Sequence, residues 1–215
     1  MTAQGKEISR RDELRTKIEI IAKDAFIQRG IKRVTMDEIA FMLGISKRTL
    51  YEIFSDKETL LVNCLVLMFK DRDKLFLDIY NRSSNILETM LFSFQKSIEL
   101  MHDVDRQFFI DIKMYPRAKQ FLEEKKIDAN EKTLFAFNLG KEQGIFRADI
   151  NSEIIVILLK WQFDSLRKTK NFQKYSFLEI YESIMFTLLR GIINENSSDM
   201  LEDFILHYRE SRGKL

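Results

Sequence analysis

Glycine and proline are scarce in this 215-residue chain, at 7 and 1 respectively, which excludes the turn-rich hairpins and sandwiches of β proteins. Helices are left to dominate. Cysteine is as rare: Cys64 alone closes no internal disulfide, and in an apolar stretch with no neighbouring Cys or His it reads as a small buried hydrophobe. The two histidines, His102 and His207, have metal-ligand spacing neither to each other nor to Cys64, so no metal is assigned. Long hydrophobic runs are missing too. The longest, Leu60 to Phe69, is broken by Asn63 and falls short of the roughly 18 residues of a membrane span. The first fifteen residues, MTAQGKEISRRDELR, hold no apolar core, so the sequence predicts no signal peptide, no membrane anchor and a cytoplasmic location.

A strong excess of one charge is also absent. The net charge is +2, from 35 Lys and Arg against 33 Asp and Glu, so composition alone does not announce a nucleic-acid binder. What excess exists lies near the start: residues 1–60 carry 12 basic against 10 acidic side chains, and the remainder carries 23 of each. A hydrophobic content of 45% is ample for a buried core and predicts a folded chain.

Helical periodicity is what the chain has in abundance. Leu14, Ile18, Ile21, Ala22, Ala25 and Phe26 recur every three or four residues and mark a helix from about Arg11 to Gln28, ended by Gly30. Thr35-Met-Asp-Glu38 has the capping-box pattern and opens a second helix to Leu43 that buries Ile39, Ala40 and Leu43. Gly44 breaks it. Ser46 then caps a third helix with Leu50, Ile53 and Phe54 on its apolar side, leaving Lys47, Arg48, Thr49 and Tyr51 to face outward. A second pattern of the same kind, Ser55-Asp-Lys-Glu58, opens a fourth helix through Leu60, Leu61, Leu65 and Met68. Further helices are expected at Ser84 to Met101, Asp105 to Met114, Arg117 to Gln143, Ser152 to Lys168, Ser176 to Asn194 and Ser198 to Glu210.

Two short helices separated by three residues form a helix-turn-helix over about 35–54. In that arrangement one helix braces another whose N-terminal residues meet base edges in the major groove. Lys47 and Arg48 suit guanine O6 and N7, and the Thr49 methyl suits a thymine methyl. Thr35, Tyr51 and Lys57 supply hydroxyl and ammonium groups suited to phosphates. An exposed helical hairpin with merely solvated charges fits the spacing equally well.

The full pattern FIQRGIKRVTMDEIAFMLGISKRTLYEIFSDKETLL resembles the DNA-binding domain of the tetracycline-repressor (TetR) family across about residues 11–65. Gly30, Thr35 with Ile39-Ala40, Gly44-Ile45-Ser46, Thr49-Leu50-Tyr51, Phe54 and Lys57 stand in that family's order. The resemblance implies DNA contacts by Thr35, Ser46, Lys47, Arg48, Thr49, Tyr51 and Lys57, with Leu50 and Phe54 in the core. Glu52 departs from it, since relatives often carry a neutral or basic residue there.

The fold expected is all-α. An N-terminal three-helix DNA-binding domain would occupy 1–56 and a helical ligand-binding and dimerisation domain 57–215, sharing the long fourth helix with little motion between them. By the same resemblance the protein is a homodimer, with Ile154, Ile157, Leu158, Trp161, Ile184 and Leu188 at the interface and Leu189 buried beside them. Met90, Phe94, Met101, Phe108, Phe109, Met114, Phe135 and Phe137 are candidates to line a pocket for a small hydrophobic effector; ordinary core packing competes for each. No cofactor is implied. The expected function is regulation of transcription at a palindromic operator in double-stranded DNA, by a repressor that its ligand releases. A ligand-requiring activator and a helical interaction protein that has lost DNA binding are the alternatives, the latter favoured by Glu52 and the modest charge. No nucleophile with its base, carboxylate pair or glycine-rich phosphate loop is present, so an enzyme is not expected.

Overall fold

A computed structural model describes residues 3–102, 104–166 and 174–212. Its helices are α1 (Ala3–Arg29), α2 (Met36–Leu43), α3 (Lys47–Ile53), α4 (Lys57–Arg82), α5 (Ile86–His102), α6 (Arg106–Asp111), α7 (Pro116–Glu142), α8 (Ser152–Leu166), α9 (Phe177–Ile192) and α10 (Ser198–Arg212). The all-α class is as the sequence predicts. One stretch divides for a local reason. The stretch expected as one helix from Asp105 to Met114 is a short α6 followed by a 3₁₀ turn, Ile112–Met114, because Pro116 cannot continue a preceding helix and instead begins α7. The far end of α8, expected at Lys168, lies outside the described residues.

The chain forms two compact units. The first comprises residues 1–75 and 100–125, the second 76–99 and 126–215, so α4, α5 and α7 contribute residues to both. Compactness thus divides the chain elsewhere than the functional division expected at 56/57.

In the first unit, Ile18, Ala22 and Phe26 of α1 meet Ile39 and Ala40 of α2, Leu50 of α3, Phe54, and Leu60, Leu61, Cys64 and Leu65 of α4 in one core, which Phe108, Ile112 and Ala118 complete. Cys64 is fully enclosed there, and burial pushes its thiol well above the ordinary range. It is an inert packing group. In the second unit, Ile86, Leu87, Leu91 and Phe94 of α5 pack with Phe137 of α7, Phe146, Leu159 of α8, Phe186 and Leu189 of α9, and Leu201, Ile205 and Tyr208 of α10. Phe94 sits at the centre of an aromatic group, its ring centroid 5.2 Å from Tyr181, 5.3 Å from Phe186 and 5.7 Å from Tyr208. A bridge between Phe146 and Ile193 joins the loop after α7 to the end of α9.

Candidate nucleic-acid interface

Local hydrogen bonds fix α2 and α3 before any packing is considered. Thr35 Oγ1 accepts from the Glu38 N–H at 3.1 Å while the Thr35 N–H donates to Glu38 Oε2 at 2.7 Å, closing the capping box. The Thr35 N–H, followed by the Arg29 guanidinium 2.8 Å away, holds the Glu38 carboxyl down at about 2. Gly44 ends α2 with φ +64°, a left-handed conformation that an L side chain adopts only under strain. Ser46 caps α3: its Oγ accepts the Thr49 N–H at 3.0 Å, and the two hydroxyls lie 2.8 Å apart.

This frame turns α3 so that Leu50 is wholly buried while Lys47, Arg48 and Tyr51 are exposed, Arg48 by 89% of its side chain, and Thr49 is half-buried. The structure therefore brings Ser46, Lys47, Arg48, Thr49 and Tyr51 to one short helix above the core, with Thr35 at the adjoining helix start. Both cations are engaged. The Lys47 ammonium pairs with the Asp37 carboxylate in the first turn of α2, and Arg48 Nε donates to Glu52 Oε1 at 2.9 Å. Arg11 Nη2 donates at 3.0 Å to the Glu52 carbonyl, tying α1 to α3.

Lys57 is less open than its expected role suggests. Its ammonium lies 5.8 Å from the centre of the Phe26 ring, and burial pulls its pKa down, a shift that Asp111 and Glu38 partly oppose. The second capping box is a correction. Ser55 does not cap α4; Asp56 does, accepting from the Thr59 N–H at 2.7 Å and the Thr59 hydroxyl at 2.9 Å. Glu58, the expected partner of Ser55, instead accepts the Arg117 N–H at 2.6 Å, and Arg117 Nη2 donates to Asp56 at the same distance. An aspartate one residue later wins because its carboxylate takes both Thr59 donors and a guanidinium, where a serine hydroxyl would take one.

Periodicity does not reveal the group that anchors this domain from below. Asp111 of α6, 1% exposed, accepts the Lys32 N–H at 2.6 Å and the Gln107 amide at 2.6 Å. Burial alone would raise its pKa, but those two donors, together with the charges of Lys32 and Lys57, outweigh it and hold the carboxyl below the usual range. The Asp105 N–H also donates to the Ile27 carbonyl at 2.8 Å, so α6 grips the end of α1 and the turn beyond it. Gly30 permits the approach: at φ +80°, a Cβ there would stand 2.9 Å from Gln107 Cγ. Only a buried acid in an otherwise apolar stretch hints at this in sequence, and its partner is main chain 79 positions away. Asp37 is equally hidden, since its partner lies ten residues on, across a turn.

The effector-pocket candidates whose side chains are described are divided between the two cores and the surface. Phe108 belongs to the first core, whereas Phe94 and Phe137 are buried in the second and Met90 packs against it. Phe109, Met114 and Phe135 are exposed, and the Met101 side chain lies outside the described residues. The dimer candidates lie on α8 and α9. Ile154, Ile157, Leu158 and Trp161 form one exposed stripe on α8, with Ile157 at 62% and Trp161 at 73%. Ile184 and Leu188 of α9, with Ile155 and Ile180, line a groove of about 660 Å³. Leu189, expected beside them, is buried inside the second core.

Comparison with known proteins places these features. Residues 21–64 match the family model for bacterial regulatory proteins of the tetR family. The chain is 28% identical over 172 residues to the uncharacterized HTH-type transcriptional regulator YvaF of Bacillus subtilis, which covers 77% of this chain and 88% of that one. It is 27% identical over 157 residues to the HTH-type transcriptional repressor KstR2 of Mycobacterium tuberculosis, covering 70% and 76%. The solved structure of KstR2, described as a ketosteroid transcriptional regulator, superposes with a TM-score of 0.54 at 21% identity over 84% of this chain and 95% of that one. A gamma-butyrolactone receptor superposes with a TM-score of 0.65 at 17% identity, over 94% and 99%.

Proposed function

We propose that this chain, whose residues 21–64 match the tetR family of bacterial regulatory proteins, is a homodimeric transcriptional repressor that binds a palindromic operator and is released by a small hydrophobic ligand. The observation that carries the reading is the exposed N-terminal turn of α3. Lys47, Arg48 and Thr49 stand there, held outward by buried Leu50 and Phe54. A helix so presented enters a major groove, where lysine and arginine donate to guanine O6 and N7. Thr35, Ser46, Tyr51 and Lys57 surround it as phosphate contacts.

The exposed α8 stripe and the α9 groove support dimerisation, with Ile154, Ile157, Leu158, Trp161, Ile184 and Leu188 as the side chains a second copy would cover. Two recognition helices would then reach successive major grooves about 34 Å apart. Repression is the sense of action suggested by KstR2, a named repressor. Relatives described by ketosteroid and gamma-butyrolactone point to small, largely apolar effectors. Here Met90, Phe94 and Phe137 are the candidate lining, and a ligand acts only by its differential affinity for two conformers. Since α6 is bound to the turn beyond α1 through Asp111, a conformer that moves α6 carries the reading head with it.

Binding of the DNA fragment that the purified protein most enriches from sheared genomic DNA, measured by fluorescence anisotropy across a salt series, tests the site. Lys47→Ala and Arg48→Ala are expected to relax sequence preference at a contacted base by roughly 1–3 kcal/mol. Lys57→Ala is expected to weaken all sequences alike and flatten the salt slope by about one ion. Three variants that bind like wild type would refute the assignment.

A further inference from the structure

The two cations at the tip of α3 are not bare. Lys47 is paired with Asp37 and Arg48 with Glu52, and all four side chains are at least half exposed. Exposed ion pairs add little to stability, so their worth to the fold does not explain them. At a DNA-reading surface they have a different consequence. A lone lysine or arginine is drawn to any phosphate, which is the origin of sequence-independent binding. A paired one presents little net charge, and a phosphate that displaces the carboxylate leaves an acid facing a polyanion.

One base pair offers something to both members of such a pair. In the major groove G·C shows the acceptors O6 and N7 on guanine beside the N4 amino donor on cytosine. A cation takes the first and a carboxylate the second. Resting on the proposed operator binding, we propose that Lys47 with Asp37 and Arg48 with Glu52 act as paired readers of G·C base pairs, with Asp37 and Glu52 as the specificity-determining members. Matched DNA satisfies both charges at once, whereas unmatched DNA satisfies only the cation and repels the acid. Glu52, the departure from the family pattern, thus becomes part of the reading head. The Arg11 bond to its carbonyl fixes the backbone from which the side chain projects.

The test uses the full-length protein with Asp37→Asn and Glu52→Gln, each close in shape and one negative charge lighter. Two duplexes of equal length serve as probes: the fragment most enriched from genomic DNA by wild type, and a random sequence. Each substitution is expected to raise random-duplex affinity roughly eightfold at 0.1 M salt and to steepen its salt slope by about one ion. Operator affinity should not follow, so the specificity ratio falls by about tenfold or more and the G·C requirement at one position per half-site relaxes. Thermal melting checks that both variants fold as wild type does. Equal shifts on both duplexes, no shift on either, or an enriched site without G·C in each half would overturn the pairing proposal while leaving operator binding intact. A wild-type protein that enriches no sequence would instead remove the operator reading and this inference with it.

Discussion

Glu38 and Asp56 show how single side chains set helix starts in the first unit. Each carboxyl is held near about 2, Glu38 chiefly by the Thr35 N–H and Asp56 by that of Thr59, against ordinary values of 4.5 and 3.8. Because both values are depressed in the folded state, their stabilisation is complete above about pH 4.5 and is lost as pH falls toward 2. Denaturant titrations between pH 7 and 2 should therefore show a steeper acid loss in wild type than in the double variant Glu38→Gln, Asp56→Asn. Parallel curves would mean that these caps do not carry the acid sensitivity. At this scale, sequence legibility depends on reach. Thr35 with Glu38 and the Ser46 cap are readable because donor and acceptor lie within one turn. Ser55 with Glu58 has the same spacing and fails, because Arg117, 59 positions from Glu58, claims that glutamate.

Periodicity, together with glycine and proline, makes the helices legible but leaves their grouping obscure. Leu50 and Phe54 fall in the core as their spacing requires. That α6 belongs with α1 and α2 in one compact unit is invisible in the pattern, because the link runs from a side chain to main chain. Asp111→Asn keeps the size and loses the charge that two short hydrogen bonds engage. It should cost about 1–3 kcal/mol in denaturant unfolding. It should also increase hydrogen exchange at the Lys32 amide. Unchanged exchange there would show that α6 does not hold the turn. The effector candidates are legible only as apolar helical positions, and such positions serve core, cavity and surface alike; hence Phe108 falls in one cluster, Phe94 and Phe137 in the other, and Phe109, Met114 and Phe135 are exposed.

At the scale of the whole molecule, the proposed palindromic operator needs two copies of α3. The α8 stripe, with Trp161 at 73% exposure, is the apolar surface that assembly would cover. Trp161→Glu is expected to give a monomer by sedimentation and to lose most operator affinity while its melting temperature as a folded chain remains measurable. A dimer that persists would relocate the interface. Sequence spacing gave the stripe directly, since Ile154, Ile157, Leu158 and Trp161 recur at three and four residues. It misplaced Leu189, whose neighbours on α9 face the groove while it faces inward. The most direct test of the central claim is selection of sheared genomic DNA by the purified protein at physiological salt, followed by sequencing of what is retained. Enrichment of a short palindrome whose half-site centres lie about one helical turn, or a multiple of it, apart is the expected result. Retained DNA with no common sequence would contradict it.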